Sequence, residues 1–186
     1  MPGGARARLL DLLRTHAFAR RRVVLASGRE SDFFIDCKQV VLSAEGHVLT
    51  GAVLFEELSN LGPCVAVAGV ELGGCPLASA VALTSFQRLA PLDAVYVRKD
   101  AKDHGSARLL EGNSRLAPGA AVALLEDVVT TGGSTLKAAS KLRDAGYLVV
   151  GVLALVDRLE GGRLAVEAGG LRLVTLFTRD DFIPPG

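Results

Sequence analysis

The sequence predicts an α/β fold, a mainly parallel twisted sheet flanked by helices. Largely apolar runs typical of strands buried on both faces recur at residues 65–70, 93–97, 120–125 and 149–156. Helical apolar spacing separates several of these runs. Each of the four runs passes into a polar or glycine-containing segment, as strand ends do where a parallel sheet forms its ligand crevice.

Length and composition limit the kinds of protein this could be. The 186 residues suit a single domain, 1–186, with 49% hydrophobic and 22% charged residues. A net charge of +1 does not favour a nucleic-acid partner, and no apolar run is long enough to cross a membrane. The three cysteines are far apart, which predicts free thiols in a reducing cytoplasm and no zinc site.

The first forty residues predict a helix followed by a hairpin. Leu9, Leu10, Leu13 and Ala17 form one apolar helical face. The arginines at 20–22 could belong to a transit peptide, but we favour a docked helix. Residues 23–25 and 31–36 predict two short strands joined by a turn.

The next elements alternate between helix and strand. Residues 43–60 predict a helix with Ser43 as N-cap and with Val48, Ala52 and Phe55 on one face. The strand at 65–70 runs into a glycine loop, followed by a helix at 77–89. Glycines at such a place favour close backbone contact with an anion, although glycine turns between strand and helix are common.

The strand at 93–97 leads into a polar segment, 98–108, with no apolar periodicity. Its cationic and titratable side chains predict a mobile lid that closes over an anion. A solvated run of charges is the competing interpretation.

The central stretch, 122–135, reads as strand, polar loop and helix N-terminus. Free amides and the positive end of the helix dipole make such a loop a phosphate site. Gly132 and Gly133 would let an anion approach the backbone, and the neighbouring hydroxyls could donate to it.

Two carboxylates, Glu126 and Asp127, directly precede this loop. They would repel a phosphate unless they bound something else, such as the vicinal hydroxyls of a sugar. A ribose 5-phosphate meets both demands. The competing interpretation is a helix cap preceded by ordinary surface acids.

The remaining chain predicts a helix ended by Gly146, a strand at 149–156, a short helix and a last strand at 171–177. The fourth run ends in the polar segment 157–162.

The central stretch resembles the phosphoribosyl pyrophosphate (PRPP) signature of the type I phosphoribosyltransferases. The resemblance implies that family's fold, with a small N-terminal hood at about 1–40 and a lid loop. In that family the acidic pair holds the ribose hydroxyls and the loop holds the 5′-phosphate. The implied PRPP-binding residues are Arg98, Lys99, Lys102, His104, Glu126, Asp127, Val128, Val129, Thr130, Thr131, Gly132, Gly133 and Ser134.

Residues 27–36, 97–105 and 156–161 resemble more narrowly the family members that act on orotate. This implies that Lys102, His104 and Asp127 are catalytic, and that the lid reaches the neighbouring subunit of a homodimer. Orotate would be bound by Thr130, Arg158, Phe34 and Ile35. Core packing is the competing interpretation for each phenylalanine of the 33–34 pair. Mg²⁺ would arrive bound to PRPP, with no metal site in the protein itself.

The chain departs from this pattern at three positions. Ala26 and Gly73 stand where many relatives carry lysine, and Ile35 stands where some carry an aromatic residue. Two other functions therefore stay open. One is transfer to another base, such as a purine, and the other is a regulator that binds PRPP or RNA without turnover.

Overall fold

The computed structural model describes residues 2–24, 30–100 and 109–183, and no helix in these ranges is long and apolar enough to span a membrane. Helices and strands follow one another in the following order along the chain: α1 Pro2–Leu12, β1 Phe18–Val24, β2 Glu30–Ile35, α2 Lys38–Val41, α3 Ala44–Glu57, β3 Ala66–Val70, α4 Gly74–Gln87, β4 Asp93–Val97, β5 Leu110–Glu111, β6 Ala121–Val129, α5 Gly133–Asp144, β7 Leu148–Asp157, α6 Gly162–Ala168 and β8 Leu173–Thr178.

The predicted mainly parallel sheet is confirmed. Six strands pair in the order β5-β4-β3-β6-β7-β8, and the short β5 is antiparallel to β4 while the other neighbours are parallel. The chain turns outward from β3 through β4 and, on the other side, from β6 through β7. The carboxyl ends of β3 and β6 therefore flank the switch point where α/β sheets bind their ligands.

Alternation along the inner strands supplies a core on each face of the sheet. Ala123 and Leu125 of β6 join the cluster that contains side chains of α1, α3 and α4. Val122 and Leu124 join the opposite cluster with side chains of α5 and α6. Burial on both faces is the reason that these strands read as continuous apolar runs.

The predicted N-terminal hairpin is also confirmed. Strands β1 and β2 pair antiparallel, with a bulge between Arg20 and Val23. Phe18 and Phe33 of the hairpin pack with Phe182 near the other end of the chain, at ring-centroid distances of 5.1 to 5.6 Å. Arg179 adds an ion pair of 2.8 Å to Asp32. These contacts attach the hairpin to the body of the fold.

Several predicted boundaries were wrong. β1 begins at Phe18 and includes the three arginines, whereas the sequence predicted a strand at 23–25. β6 continues past its apolar run to Val129, because pairing with β7 persists as far as Val129 and Asp157. Backbone pairing therefore carries the strand through the acidic pair, four residues beyond the end of the predicted apolar run.

Candidate functional site

The acidic pair lies on strand β6, and its two side chains have different surroundings. Glu126 is 5% exposed, and its Oε2 accepts hydrogen bonds from Thr135 Oγ1 at 3.0 Å and from Ser134 Oγ at 3.3 Å. Burial, and then the charge of Asp127, raise the pKa of Glu126 to about 8. Glu126 thus connects the strand to the first turn of α5.

Asp127 faces the glycine loop that follows β3. Its Oδ1 accepts a hydrogen bond from the Val128 amide at 2.9 Å. A Cβ placed on Gly73 would lie 1.9 Å from Asp127 Oδ2, so glycine at this position lets the loop backbone approach the carboxylate. Lys38 is near the same carboxylate. The hydrogen bond and charge of Asp36, and then the charge of Asp127, raise the pKa of Lys38.

The loop between β6 and α5 has the geometry expected of a phosphate site. Gly132 has a φ of +79°, which glycine adopts without strain, and it lies at the N-cap of α5. Leu136 N donates to Gly132 O at 2.9 Å, which is a helical hydrogen bond of α5. The amides of residues 133–135 precede it and therefore lie in the first helical turn, where amides have no partner within the helix. Thr131, Gly133 and Ser134 are exposed. An anion could therefore reach this turn.

Arg158 lies at the end of β7, beside the loop. Its backbone amide donates to Val129 O at 3.0 Å, and its side chain is almost entirely buried. Nη2 donates to Phe33 O at 2.9 Å and lies 2.9 Å from Glu160 Oε1. The guanidinium thus joins the hairpin to the sheet at the edge of the predicted site.

The neighbouring residues of β2 at the predicted base site differ in burial. Phe33 is fully buried, and the Arg158 guanidinium lies 5.5 Å from its ring centroid. Phe34 is partly exposed and stacks on Arg21 at 3.7 Å, while Ile35 packs against the core. Sequence reasoning had not assigned a role to Phe33 beyond packing. The alternation of side chains along a strand was the signal that could have separated the two phenylalanines.

The first residues of the predicted lid are held by two neighbouring elements. Lys99 N donates to Glu71 Oε2 at 2.8 Å. Lys141 Nζ on α5 donates to Arg98 O at 2.7 Å and to Lys99 O at 2.6 Å. Lys102 and His104 lie outside the described residues, and so does Ala26.

A cavity of about 340 Å³ lies between the start of the predicted lid and α5. It is lined by Val70, Val97, Arg98, Lys99, Asp100, Ser134, Lys137, Ala138 and Lys141. Ser134 belongs both to this lining and to the contacts of Glu126. Two of the predicted PRPP-binding groups, the loop and the residues at 98–99, are thereby brought to one region.

Within the part of the chain that the structure describes, no group of three or more His, Cys, Asp or Glu side chains could hold a metal ion. The two carboxylates of the acidic pair lie on β6, Lys38 is close to Asp127, and Arg98, Lys99, Lys137 and Lys141 line the neighbouring cavity. The chemistry that this arrangement supports is the binding of a polyanionic sugar phosphate.

Known proteins resemble this chain in both sequence and structure. The model of the phosphoribosyl transferase domain family matches residues 52–169. The orotate phosphoribosyltransferase of Sorangium cellulosum is 68% identical over 179 residues, covering 96% of this chain and 93% of the relative.

Solved structures agree with these sequence matches. The Mycobacterium tuberculosis H37Rv orotate phosphoribosyltransferase in complex with Fe(III) dicitrate superposes with a TM-score of 0.79 at 38% identity, covering 96% of this chain and 99% of that one. The same protein in complex with PRPP has a TM-score of 0.76 at 32% identity, covering 98% and 93%.

Proposed function

The chain belongs to the orotate phosphoribosyltransferase family, and from this membership we propose that it transfers the 5-phosphoribosyl group of PRPP to orotate. The products are orotidine 5′-phosphate and pyrophosphate, in de novo UMP biosynthesis. The observation that supports the proposal is the hydrogen bond from Arg158 N to Val129 O at 3.0 Å. It joins the residue that we assign to orotate to the end of β6, the strand that carries the acidic pair.

The ribose phosphate is assigned to β6 and the loop after it. Asp127 and Glu126 accept hydrogen bonds from the ribose hydroxyls, since ionised carboxylates are strong acceptors. The backbone from Val128 to Gly133 and the hydroxyls of Thr131 and Ser134 hold the 5′-phosphate at the start of α5. Amides there point outward, and the helix dipole favours the negative charge.

The leaving pyrophosphate is assigned to the lid. As the bond from ribose C1 to the pyrophosphate oxygen breaks, negative charge builds on the leaving group. The cations Arg98, Lys99, Lys102 and His104 stabilise that charge, and closure excludes water that would hydrolyse the activated ribose. The lid serves the neighbouring subunit of a homodimer. Mg²⁺ enters bound to PRPP because it prefers phosphate oxygens and retained water. The enzyme works in the cytoplasm.

Orotate is assigned to the space beside Arg158. Orotate carries a carboxylate, which a guanidinium can bind with two parallel hydrogen bonds. Thr130 donates to the same base, and Phe34 and Ile35 lie against it. The base nitrogen forms its bond to ribose C1 as the pyrophosphate bond breaks.

The direct test is the loss of orotate absorbance when PRPP and Mg²⁺ are added. Arg158→Ala should raise KM for orotate about 10- to 100-fold, the range for losing a hydrogen bond to a charged group, with a much smaller change for PRPP. Arg172→Ala is the matched control, since Arg172 is exposed and is not assigned to the site. An equal rise for both substrates would indicate general disruption. A purine preferred over orotate in direct competition would reject the assignment of the base.

A further inference from the structure

Glu160 is a buried acid whose position is not explained by the ribose, phosphate or base contacts assigned above. It lies two residues beyond Arg158, and its side chain is 14% exposed. Oε1 is 2.9 Å from Arg158 Nη2. Oε2 is buried and has no hydrogen-bond partner among the described residues.

The ion pair orients the guanidinium. Nη2 has two hydrogens. It donates to Phe33 O at 2.9 Å and lies at the same distance from Glu160 Oε1. Because the guanidinium is planar, two oxygens held against one terminal nitrogen constrain the plane of the whole group. One of these oxygens belongs to the hairpin and the other to the turn after β7.

Glu160 is itself held by a rigid turn. Leu159, just before it, has a φ of +57°, and its amide donates to Asp157 Oδ1 at 2.9 Å. Just after it, a Cβ on Gly162 would lie 2.7 Å from Thr130 O, so the turn packs closely against the phosphate loop. The backbone that carries Glu160 is therefore packed against that loop.

Stability is a poor explanation for this carboxylate. A buried acceptor without a partner is unfavourable, and a buried ion pair often contributes less stability than apolar side chains of the same volume. An acid beside the binding place of an anion is also unfavourable through like-charge repulsion. The benefit of the Glu160 carboxylate therefore has to come through its contact with Arg158.

We propose that Glu160 is a positioning residue for the base, holding the Arg158 guanidinium in the orientation that receives the carboxylate of orotate. This role rests on the proposed function. It predicts that the place of the acceptor oxygen matters more than its charge.

Three substitutions separate place from charge. Glu160→Ala removes the acceptor and should raise KM for orotate about tenfold, with KM for PRPP changed less than about twofold. Glu160→Asp keeps the charge but withdraws it by about one carbon–carbon bond, 1.5 Å, and should resemble alanine. Glu160→Gln keeps an oxygen in place and should stay within about threefold of the parent. Glu167→Gln is the control, since Glu167 is half-exposed on α6 and pairs with Arg163.

Calorimetry provides a readout that does not depend on turnover. Glu160→Ala should weaken the binding of orotidine 5′-phosphate, which carries the carboxylate, and leave that of ribose 5-phosphate unchanged. If the protein binds both ligands but transfers nothing, the proposed function fails while the role of Glu160 is still tested. If alanine does not fold, the comparison of Asp with Gln decides.

Three results would overturn the proposal. KM for orotate could be unchanged in Glu160→Ala, or both KM values could rise together. Glu160→Asp could behave as the parent while Glu160→Gln fails, which would make charge, rather than placement, the property that matters.

Discussion

Replacing Glu126 with glutamine should change how the stability of the ligand-free protein depends on pH. Glu126 is buried beneath the phosphate loop, and burial followed by the charge of Asp127 raises its pKa from 4.5 to about 8. Glutamine has the same shape and cannot ionise. The variant therefore isolates the free energy of forming this one charge inside the fold.

The sign and size follow from the two pKa values. The folded protein binds the Glu126 proton more tightly than the unfolded chain, so the stabilisation is fully present below pH 4.5 and is lost as the pH rises towards about 8. The difference, 8 − 4.5, is about 3.5 pKa units, or roughly 5 kcal/mol at 1.36 kcal/mol per unit. Since Asp127 shares this charge repulsion, we take that figure as an upper limit.

The assay is urea unfolding of the parent and of Glu126→Gln at intervals from pH 5 to pH 9, without substrate. The parent should lose stability relative to the variant up to about pH 8, and the gap should then level off. Glu56→Gln removes an exposed carboxylate and serves as the control. Parallel profiles for the parent and Glu126→Gln would refute the reasoning.

The same carboxyl should link substrate binding to protons. Ribose hydroxyls that donate to Glu126 favour its ionised form, so PRPP binding near neutral pH should release a proton. Calorimetry in buffers of different ionisation enthalpy measures that release, which Glu126→Gln should abolish.

Two further predictions concern assembly and backbone packing. Lys102→Ala should lower kcat by about 10²–10³, and Asp127→Asn should disable its own site. Mixing these two variants with subunit exchange should restore about one quarter of all sites, because each hybrid of a two-fold dimer has one intact site; confirmed exchange without recovery would reject sharing of the lid. Gly162→Ala should lower kcat/KM by up to about 10²-fold with the fold retained, because its Cβ would lie 2.7 Å from Thr130 O and displace the phosphate loop. Gly4→Ala, whose Cβ would contact nothing within 4 Å, is the control, and equal kinetics in the two glycine variants would contradict this steric argument.

The inner strands could be predicted because burial on both faces requires a continuous run of apolar residues, which is visible in the sequence. β3, β4, β6 and β7 all lie within two residues of their predicted starts. The loop between β6 and α5 was predictable for a similar reason, since glycines, hydroxyls and a following helix are consecutive in the sequence. Ser43 is the N-cap that the sequence predicts, with its Oγ accepting from Gly46 N at 3.1 Å.

The predicted apolar face of α3 is only partly packed. Phe55 packs against the core as predicted, but Val48 is 67% exposed, while Thr50 and Gly51 are buried. A Cβ on Gly51 would lie 2.6 Å from Ala80 O, so α3 approaches the backbone of α4 closely. Small residues make that close approach possible. A search for hydrophobic periodicity does not identify them as buried.

By itself, the sequence determined the mainly parallel sheet, the order of its elements and the place of the glycine loop before α5, because periodicity and glycine chemistry act over a few neighbouring residues. Only the tertiary structure decided the different surroundings of Glu126 and Asp127, the closeness of Gly73 to Asp127 and the joining of Phe33, Arg158 and Glu160. The first depends on pairing between β6 and β7, and the others join parts of the chain up to 125 residues apart. Such contacts are set by strand order and packing, which leave no pattern in the local sequence.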